Sequence, residues 1–359
     1  MRQFKRSFLN LVVLTITICS VASCSDDENL NDLDETIFVR HRNADMPAYI
    51  RGNASEKVFL ITLNGGPGGV GLEFRGKAFD EIENQYGVVY FDQRGSGNSQ
   101  GNYDKDEINI DIMAEDVLAL AKVMKRKFGS DSRFFLLGQS WGGALGVATL
   151  QKDQSDFKGW IDVDGAYNAA GLYDLYLETF TTTANTQIAL ANSVDFWESV
   201  LELVSQVDPI NNVNDFSKLN RKAPEAEAKL AQDGIINSED TGVEGNNLNF
   251  VYNPRINQWN GIQIGSIITG DQGLFQTTDL TSQLPKITIP SLFISGQYDM
   301  VVPIVSAQTA FETIGSASKE LLIFNRSGHS PPFSEPDRFA TEVLRFMDEH
   351  KQSSATDYN

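Results

Sequence analysis

The chain has 359 residues, of which 41% are hydrophobic and 10% aromatic. This is the composition of an ordinary globular protein and excludes a disordered or fibrous one. With 29 Lys and Arg against 48 Asp and Glu, the net charge of −19 repels phosphate backbones, so we expect no nucleic-acid partner. The length, without a low-complexity linker or an internal repeat, fits one large domain that contains an insertion.

Residues 1–23 are predicted to be an export signal. The first six residues carry three cations, and the mostly apolar residues 8–18 are too few to cross the roughly 30 Å hydrocarbon core of a membrane as a helix. Residues 21–24, Val-Ala-Ser-Cys, resemble the lipobox of bacterial lipoproteins. This resemblance implies cleavage before Cys24 and a lipid on its thiol; the alternative is an ordinary signal. We expect an exported bacterial lipoprotein that is anchored to a membrane by the lipid on Cys24. The protein would lie on the periplasmic face or at the cell surface.

Residues 24–35 are rich in Asp, Glu and Asn and are predicted to form an acidic, solvated tether. Loss of residues 1–23 removes three cations and no anions, so the net charge changes from −19 to −22. It also removes Cys19, which leaves one cysteine and no internal disulfide. At the other end, residues 351–359 are predicted to be a polar tail.

From residue 36 onward, β-rich runs alternate with helical patterns, which predicts an α/β fold with a mostly parallel, eight-stranded sheet and helices on both faces. The core has two predicted parts, residues 36–165 and 286–350. Strands are predicted at Ile37–His41, Ala48–Arg51, Val58–Leu63, Val88–Phe91, Phe134–Leu137, Trp160–Val163, Ser291–Ser295 and Leu321–Phe324. Core helices are predicted at Phe74–Glu83, Ile112–Phe128, Trp141–Gln151, Val305–Ile314 and Asp337–Glu349.

A glycine-rich loop, Asn64 to Gly69, follows the third predicted strand. Its glycines permit backbone amides to face a substrate. In hydrolases with a serine nucleophile, a loop at this place supplies one of the two N–H groups that bind the oxyanion. We predict that donor to be Gly66, in preference to Gly65; the alternative is a flexible turn.

The stretch 136–143 closes a hydrophobic run with G-x-S-x-G and then opens a helix of small residues, which is the sequence form of a nucleophile elbow. Gly138 and Gly142 leave room for the crowded backbone around Ser140. The pattern predicts Ser140 as a nucleophile and the N–H of Trp141 as the other oxyanion donor. The alternative is a tight turn with a structural role only.

Residues 166–285 break the alternation and are predicted to form a helical cap, inserted after the sixth strand, that covers the nucleophile. Helices are predicted at residues 172–180, 194–207 and 224–232, followed by a segment rich in Gly and Asn. Five aromatic side chains of the cap are candidates to line a pocket: Trp197, Trp259, Tyr173, Tyr176 and Phe275. For each one, packing in a core is the favoured alternative.

A serine nucleophile needs a histidine to take its proton and a carboxylate to orient that histidine. The chain has three histidines. His41 precedes the core of the sheet and His350 ends a charged helix. His329 follows the last predicted strand, at the edge where a parallel sheet presents catalytic loops, and is therefore the predicted general base.

The predicted acid is Asp299, which follows an apolar strand and a Gly-containing turn and stands in the required chain order of Ser, Asp and His. Asp162 and Asp164, beside the preceding strand, remain alternatives because an acid there could also reach the histidine. Asp299 could instead cap the helix that follows it.

These motifs resemble those of the proline iminopeptidase branch of the α/β-hydrolases. They are N-G-G-P-G-G from residue 64, D-Q-R-G-S-G from residue 92, G-Q-S-W-G-G from residue 138, G-Q-Y-D ending at residue 299 and G-H-S around residue 329. The resemblance implies an α/β-hydrolase fold and serine-dependent hydrolysis of an amide or ester. Aminopeptidase action on short peptides is its leading implication.

Two positions depart from the family pattern, which has histidine in place of Asn64 and more often glycine in place of Gln139. The family's peptidases also bind the amino terminus of the substrate through cap glutamates, and no cap motif aligns here. Seven glutamates therefore stay open for that role: Glu178, Glu198, Glu202, Glu225, Glu227, Glu239 and Glu244.

The sequence thus predicts a serine hydrolase that acts through an acyl-enzyme on a short peptide or another small molecule. A carboxylesterase is the nearest alternative, and a catalytically inactive, lipid-anchored binding protein is the alternative from another class. Without a CxxC pair, clustered histidines or a G-x-x-x-x-G-K loop, we expect no metal and no cofactor. No protein partner is inferable from the sequence.

Overall fold

The computed structural model describes residues 29–168, 171–208, 212–240, 253–268 and 278–352. The predicted signal, the anchor residue Cys24 and the tail from residue 353 lie outside the described residues, as do Glu244 and Phe275.

The fold is built on a mixed, mostly parallel sheet. Its strand order is β1-β2-β4-β3-β6-β7-β8-β9, and pairing is parallel from β4 to β9 and antiparallel at β1, β2 and β5. The strands are β1 Leu33–His41, β2 Ala44–Gly52, β3 Val58–Leu63, β4 Gly87–Phe91, β5 Gln100–Gly101, β6 Arg133–Gln139, β7 Phe157–Val163, β8 Ser291–Gly296 and β9 Lys319–Phe324. All eight predicted strands are present, and the predicted fold class is confirmed.

Two details of the sheet differ from the prediction. The two-residue strand β5 was not predicted, because two exposed residues paired with the edge of β2 carry no hydrophobic pattern. The predicted tether extends too far, since β1 begins at Leu33, which is buried and pairs with Gly52.

Helices cover both faces of the sheet. They are α1 Lys77–Glu83, α2 Ile110–Phe128, α3 Trp141–Lys152, α4 Leu172–Ala189, α5 Val194–Gln206, α6 Val213–Gln232, α7 Pro254–Ile268, α8 Val305–Thr313, α9 Pro331–Ser334 and α10 Pro336–His350. Side chains of α2, α3 and α8 share one buried cluster with the sheet, and those of α1 and α10 share the other. Alternate strand residues such as Phe134 and Phe135 belong to opposite clusters, as the strand period of two requires.

Helices α4 to α7 all lie in the chain between β7 and β8; we call residues 166–285 the insertion. Three of its helices differ from the sequence prediction. Helix α4 continues to Ala189, nine residues beyond its predicted end at residue 180. Helix α6 begins at Val213, whereas the prediction began it at Pro224, because proline is usual in a first turn and rare in the middle of a helix. Helix α7 occupies part of the segment read as rich in Gly and Asn.

The insertion has an apolar cluster of its own. Trp197 and Tyr176 are fully buried in it, so both pack in a core. Trp259 on α7 is 62% exposed. Among the described residues, none of the helices is both long and apolar enough to span a bilayer.

Candidate active site

Ser140 lies at the sharp turn between β6 and α3. Its backbone has φ 54° and ψ −118°, a conformation that a residue with a side chain adopts only when its surroundings enforce it. The Ser140 N–H donates to the carbonyl of Val163 at 3.0 Å, and its carbonyl accepts from the N–H groups of Gly143 and Ala166. A Cβ on Gly142 would lie 2.7 Å from the Leu63 carbonyl carbon, so the turn has no room for a larger residue there.

The two predicted oxyanion donors lie on the segments that flank Ser140. Trp141 is the first residue of α3, where N–H groups have no carbonyl one turn earlier to bind and the helix dipole favours negative charge. Gly65 packs directly against the serine, because a Cβ built on it would lie 3.3 Å from Ser140 Cβ. Gly66 follows with φ 120°, a conformation suited to glycine.

Asn64, the first residue of the glycine-rich loop, is fully buried and holds the loop through hydrogen bonds. The Gln93 side-chain amide donates to both the backbone carbonyl of Asn64, at 3.0 Å, and its Oδ1, at 3.1 Å. Asn64 Nδ2 in turn donates to the carbonyl of Gly65 at 3.2 Å. Asn64 therefore ties the loop to the end of β4, and the motif residue Gln93 holds the loop in place.

Asp299 and His329 form a direct pair. His329 Nδ1 lies 2.8 Å from Asp299 Oδ2, while Asp299 Oδ1 accepts from the N–H groups of Val301 and Val302, each at 2.7 Å. Asp299 does not cap the following helix α8, whose N-cap is Ile304. One of its oxygens instead binds the turn that precedes this helix, and the other binds the histidine. Burial raises the pKa of Asp299 to about 7, although the two N–H donors oppose the shift.

Asp164 lies behind this pair. One of its oxygens accepts from the Gly296 N–H at 3.0 Å, and ligand atoms of Asp164, Asp299 and His329 all lie within 4.8 Å of one another. Burial, followed by repulsion from Asp299, raises the pKa of Asp164 well above its usual range and so favours the protonated form of this carboxyl. Asp162 is also buried, and its carboxylate accepts from the N–H of Gly165 at 3.2 Å.

The same three residues are the group of side chains in the described part of the chain that could hold a metal ion. Their hydrogen bonds favour another use. His329 Nδ1 faces an Asp299 oxygen at hydrogen-bond distance, and the remaining Asp299 oxygen is occupied by backbone N–H groups. This is the arrangement of an oriented imidazole rather than of an open set of metal ligands.

The loops that carry Ser140 and His329 touch each other. The side-chain amide of Gln139 donates to the backbone carbonyl of His329 at 3.0 Å. The structure therefore brings all three predicted chemical groups to the carboxyl edge of the parallel strands, at the ends of β6, β8 and β9.

Sequence reasoning assigned no role at this site to Gln93 and left Glu227 as one of seven candidates for substrate binding. Glu227, on α6, is the insertion residue that contacts the loops of both Asp299 and His329. The motif D-Q-R-G could have indicated Gln93. Nothing in the local sequence separates Glu227 from the other glutamates.

Residues 58–336 match a family model described as the alpha/beta hydrolase fold. The match covers most of the chain and agrees with the parallel sheet, the elbow and the order of the site residues. The chain belongs to the α/β-hydrolase fold family.

Its curated relatives confirm the resemblance to proline iminopeptidases. A probable aminopeptidase of Bacillus subtilis is 23% identical over 310 residues, which cover 84% of this chain and 92% of the relative. A proline iminopeptidase of Saccharolobus solfataricus is 27% identical over 294 residues, which cover 81% of this chain and 84% of the relative.

Solved structures show the same fold. The proline iminopeptidase of Mycobacterium smegmatis has a TM-score of 0.58 at 18% identity, covering 88% of this chain and 98% of its own. A thermophilic esterase of Thermogutta terrifontis has a TM-score of 0.52 at 16% identity, covering 88% and 99%. The fold therefore accommodates proteins named as peptidases and proteins named as esterases.

Proposed function

We propose that this protein is a serine hydrolase that cleaves an amide or ester bond through an acyl-enzyme. Ser140 is the nucleophile, His329 the general base and Asp299 the residue that orients His329. The backbone N–H groups of Gly66 and Trp141 bind the oxyanion. The observation that carries the proposal is the Asp299–His329 hydrogen bond of 2.8 Å, on a loop that Gln139, the neighbour of Ser140, contacts at the His329 carbonyl.

In the proposed reaction, the Ser140 hydroxyl attacks the substrate carbonyl carbon while His329 accepts the hydroxyl proton. The carbonyl oxygen gains negative charge and binds the two N–H groups. Collapse expels the leaving amine or alcohol, which takes the proton from His329. Water then attacks the acyl-enzyme with His329 again as base, releasing the acid and restoring Ser140. This sequence needs no metal and no organic cofactor.

Labelling with a fluorophosphonate tests this proposal. The wild type should be labelled, and Ser140→Ala should lose labelling and hydrolysis while keeping its fold. Ser199→Ala on α5, an exposed serine, is the matched control and should behave like the wild type. A folded wild type that is never labelled, yet binds a ligand without releasing product, would instead favour the inactive binding protein.

We propose an aminopeptidase acting on short peptides as the more specific activity. The names of the curated relatives support it, and the names of several solved structures support a carboxylesterase as the second candidate. A library of dipeptides, proline anilide and short acyl esters, assayed side by side, separates the two. Higher kcat/KM for esters than for every amide would overturn the peptidase assignment.

We also propose that the protein is an exported bacterial lipoprotein anchored through Cys24. The support is the sequence of the first 24 residues. Metabolic labelling with palmitate should mark the full chain in the membrane fraction, and Cys24→Ala should abolish the label. Labelling that survives Cys24→Ala contradicts the anchor.

A further inference from the structure

Glu227 on α6 joins the insertion to both halves of the Asp299–His329 pair. Its Oε1 accepts from the N–H of Met300, the residue after Asp299, at 2.8 Å. Its Oε2 accepts from the N–H of His329 at 3.0 Å. One carboxylate thus spans two loops that follow different strands, and it fixes the backbone of each beside the side chain that the proposed reaction uses.

The neighbouring backbone is shaped for this contact. A Cβ on Gly328 would overlap the Glu227 carboxylate, so glycine before His329 is what allows the approach. Met300 is itself buried in the apolar cluster of the insertion. The Tyr176 hydroxyl, from α4, donates to the carbonyl of Val301 at 2.6 Å. The loop of Asp299 is therefore held from the insertion side by apolar packing and by two hydrogen bonds.

Several titratable groups surround His329. Asp299 and Asp164 face it from the ends of β8 and β7, and Glu227 faces it from α6. At the loop between β9 and α9, which carries His329, Glu335 accepts from the N–H of Arg326 and from the Ser327 hydroxyl. Glu239 shares with Glu227 and Gly328 the lining of a cavity of about 540 Å³.

The charge of Glu227 responds to these neighbours. Burial raises the pKa of Glu227 to about 7, repulsion from Asp299 adds to the shift, and attraction to a charged His329 opposes it. Burial disfavours charge on the Asp164 carboxyl, while Asp299 binds the ring of His329 and Glu227 binds its backbone N–H. A protonated His329 and an ionised Glu227 therefore stabilise each other.

We propose that Glu227 is a positioning residue for the reaction. It holds the loops of Asp299 and His329 in register through two backbone hydrogen bonds, and it supplies a second negative charge that stabilises the imidazolium formed when His329 takes the serine proton. This proposal rests on the proposed function. In this proposal, helix α6 positions the side chains of Asp299 and His329 in addition to covering the site.

The test compares Glu227→Gln with Glu225→Gln. Glu225 is on the same helix, is exposed and pairs with Lys222, so its replacement removes the same charge without touching the site. A glutamine at 227 keeps the size of the side chain, but its NH2 group cannot accept the second backbone N–H. Glu227→Asp restores the charge with a shorter reach. Thermal melting should confirm that each variant is folded.

For Glu227→Gln we expect kcat to fall about 10- to 100-fold with KM changed less than about threefold, because the reacting groups lose register while the substrate surface is kept. Glu225→Gln should match the wild type. If Glu227→Gln keeps wild-type kcat, or if kcat and stability fall equally in both glutamine variants, the positioning role is wrong.

A second readout does not depend on turnover. The chain has three histidines, so the His329 ring signals in NMR can be assigned with His329→Asn. These ring signals should change position in Glu227→Gln, stay in place in Glu225→Gln and return toward the wild type in Glu227→Asp, because the charge beside the imidazole is removed in the first variant and restored in the last. Unchanged ring signals in Glu227→Gln refute the coupling even if the wild type is fully active.

Fluorophosphonate labelling separates the Glu227 proposal from the serine hydrolase proposal on which it rests. Absence of fluorophosphonate labelling in the folded wild type defeats the serine hydrolase and the catalytic part of the Glu227 proposal together. If the wild type is labelled and the two variants Glu227→Gln and Glu225→Gln are labelled at equal rates, the Glu227 proposal alone is wrong.

Discussion

The sheet core and the insertion bury their side chains differently. In the core, β3, β4 and β8 are buried along their whole length, and even the charged pair Arg94–Asp116 is out of contact with water. In the insertion, large apolar side chains stay outside, with Leu190, Trp259 and Ile262 each about 60% exposed. The proposed reacting groups lie on the core, so the surface of the insertion can vary without moving them, except at contacts between the two regions such as that of Glu227 with the N–H groups of Met300 and His329.

The largest expected effect tests whether the chemistry resides at the sheet edge. Asp299→Asn should lower kcat about 10⁴-fold, because an amide cannot keep the imidazole in the productive tautomer. Asp164→Asn should lower kcat less than about tenfold, since the amide keeps an acceptor for the Gly296 N–H and Asp164 makes no direct hydrogen bond to His329 in the described structure. If kcat falls equally in Asp299→Asn and Asp164→Asn, the assignment of Asp299 as the residue that orients His329 is wrong.

The next effect concerns the buried charges of the core. Arg94 makes two hydrogen bonds of 2.8 Å to Asp116, and both side chains are inaccessible. Asp116→Ala leaves that buried guanidinium without its counter-charge, although the backbone carbonyl of His41 still accepts from it, and should lower the free energy of unfolding by about 3–5 kcal/mol. Asp45→Ala, which breaks the exposed pair with Arg40, should change it by about 1 kcal/mol or less. Denaturant unfolding of both variants measures the difference.

Glu73 is the core's counterpart of Glu227. Its Oε2 accepts from the N–H of Val70, close to the glycine-rich loop, and burial raises its pKa to about 7 from an ordinary 4.5. The folded state therefore binds this proton more tightly than the unfolded chain, and the free energy of unfolding falls as pH rises from about 4.5 to about 7.

Glu73→Gln removes that penalty. Relative to the wild type, the variant should gain about 1–3 kcal/mol between pH 4.5 and pH 8 and show little difference at the acid end. Glu312→Gln, at an exposed position on α8, controls for the loss of one carboxylate. Denaturant unfolding at a series of pH values is the measurement; a pH-independent difference between Glu73→Gln and the wild type contradicts the buried-proton explanation.

The smallest effect addresses the surface of the insertion. Trp259 borders a cavity of about 490 Å³ together with Tyr103 and Arg255, and its helix packs Ile264 against Gly68 of the glycine-rich loop. Trp259→Ala should raise KM by up to about tenfold and leave kcat within about twofold. Leu190→Ala, at an equally exposed apolar position at the end of α4, should change neither. Loss of kcat in Trp259→Ala would show that α7 reaches the reacting groups.

Much of the core could be predicted from the sequence because its signals are local. The strands are short apolar runs, and the elbow is a pattern of small residues around Ser140. Asp299 and His329 follow their strands directly, so their place at the sheet edge follows from topology. The register that makes Gln139 touch the carbonyl of His329 depends on residues 190 positions apart, and no local pattern contains it.

The insertion was harder to predict for physical reasons. Helix α6 continues through Pro224, where the rule for proline predicts a beginning. Helix α7 forms in a polar, glycine-containing segment, where it is stabilised by packing such as the three hydrogen bonds from Asn260 to carbonyls of residues 96–99. Glu227 looks like a solvated helix residue until the fold supplies two backbone N–H groups 73 and 102 residues away.

The burial of Met300 inside the apolar cluster of the insertion constrains how this enzyme scaffold can be re-engineered. A chimera that exchanges only residues 166–285 for another family member's segment would leave Met300 facing a foreign interior, one peptide bond from Asp299. A graft that transfers the turn from residue 298 to 302 together with the helices would carry its own side chain for that interior. The exchangeable unit is therefore discontinuous in sequence.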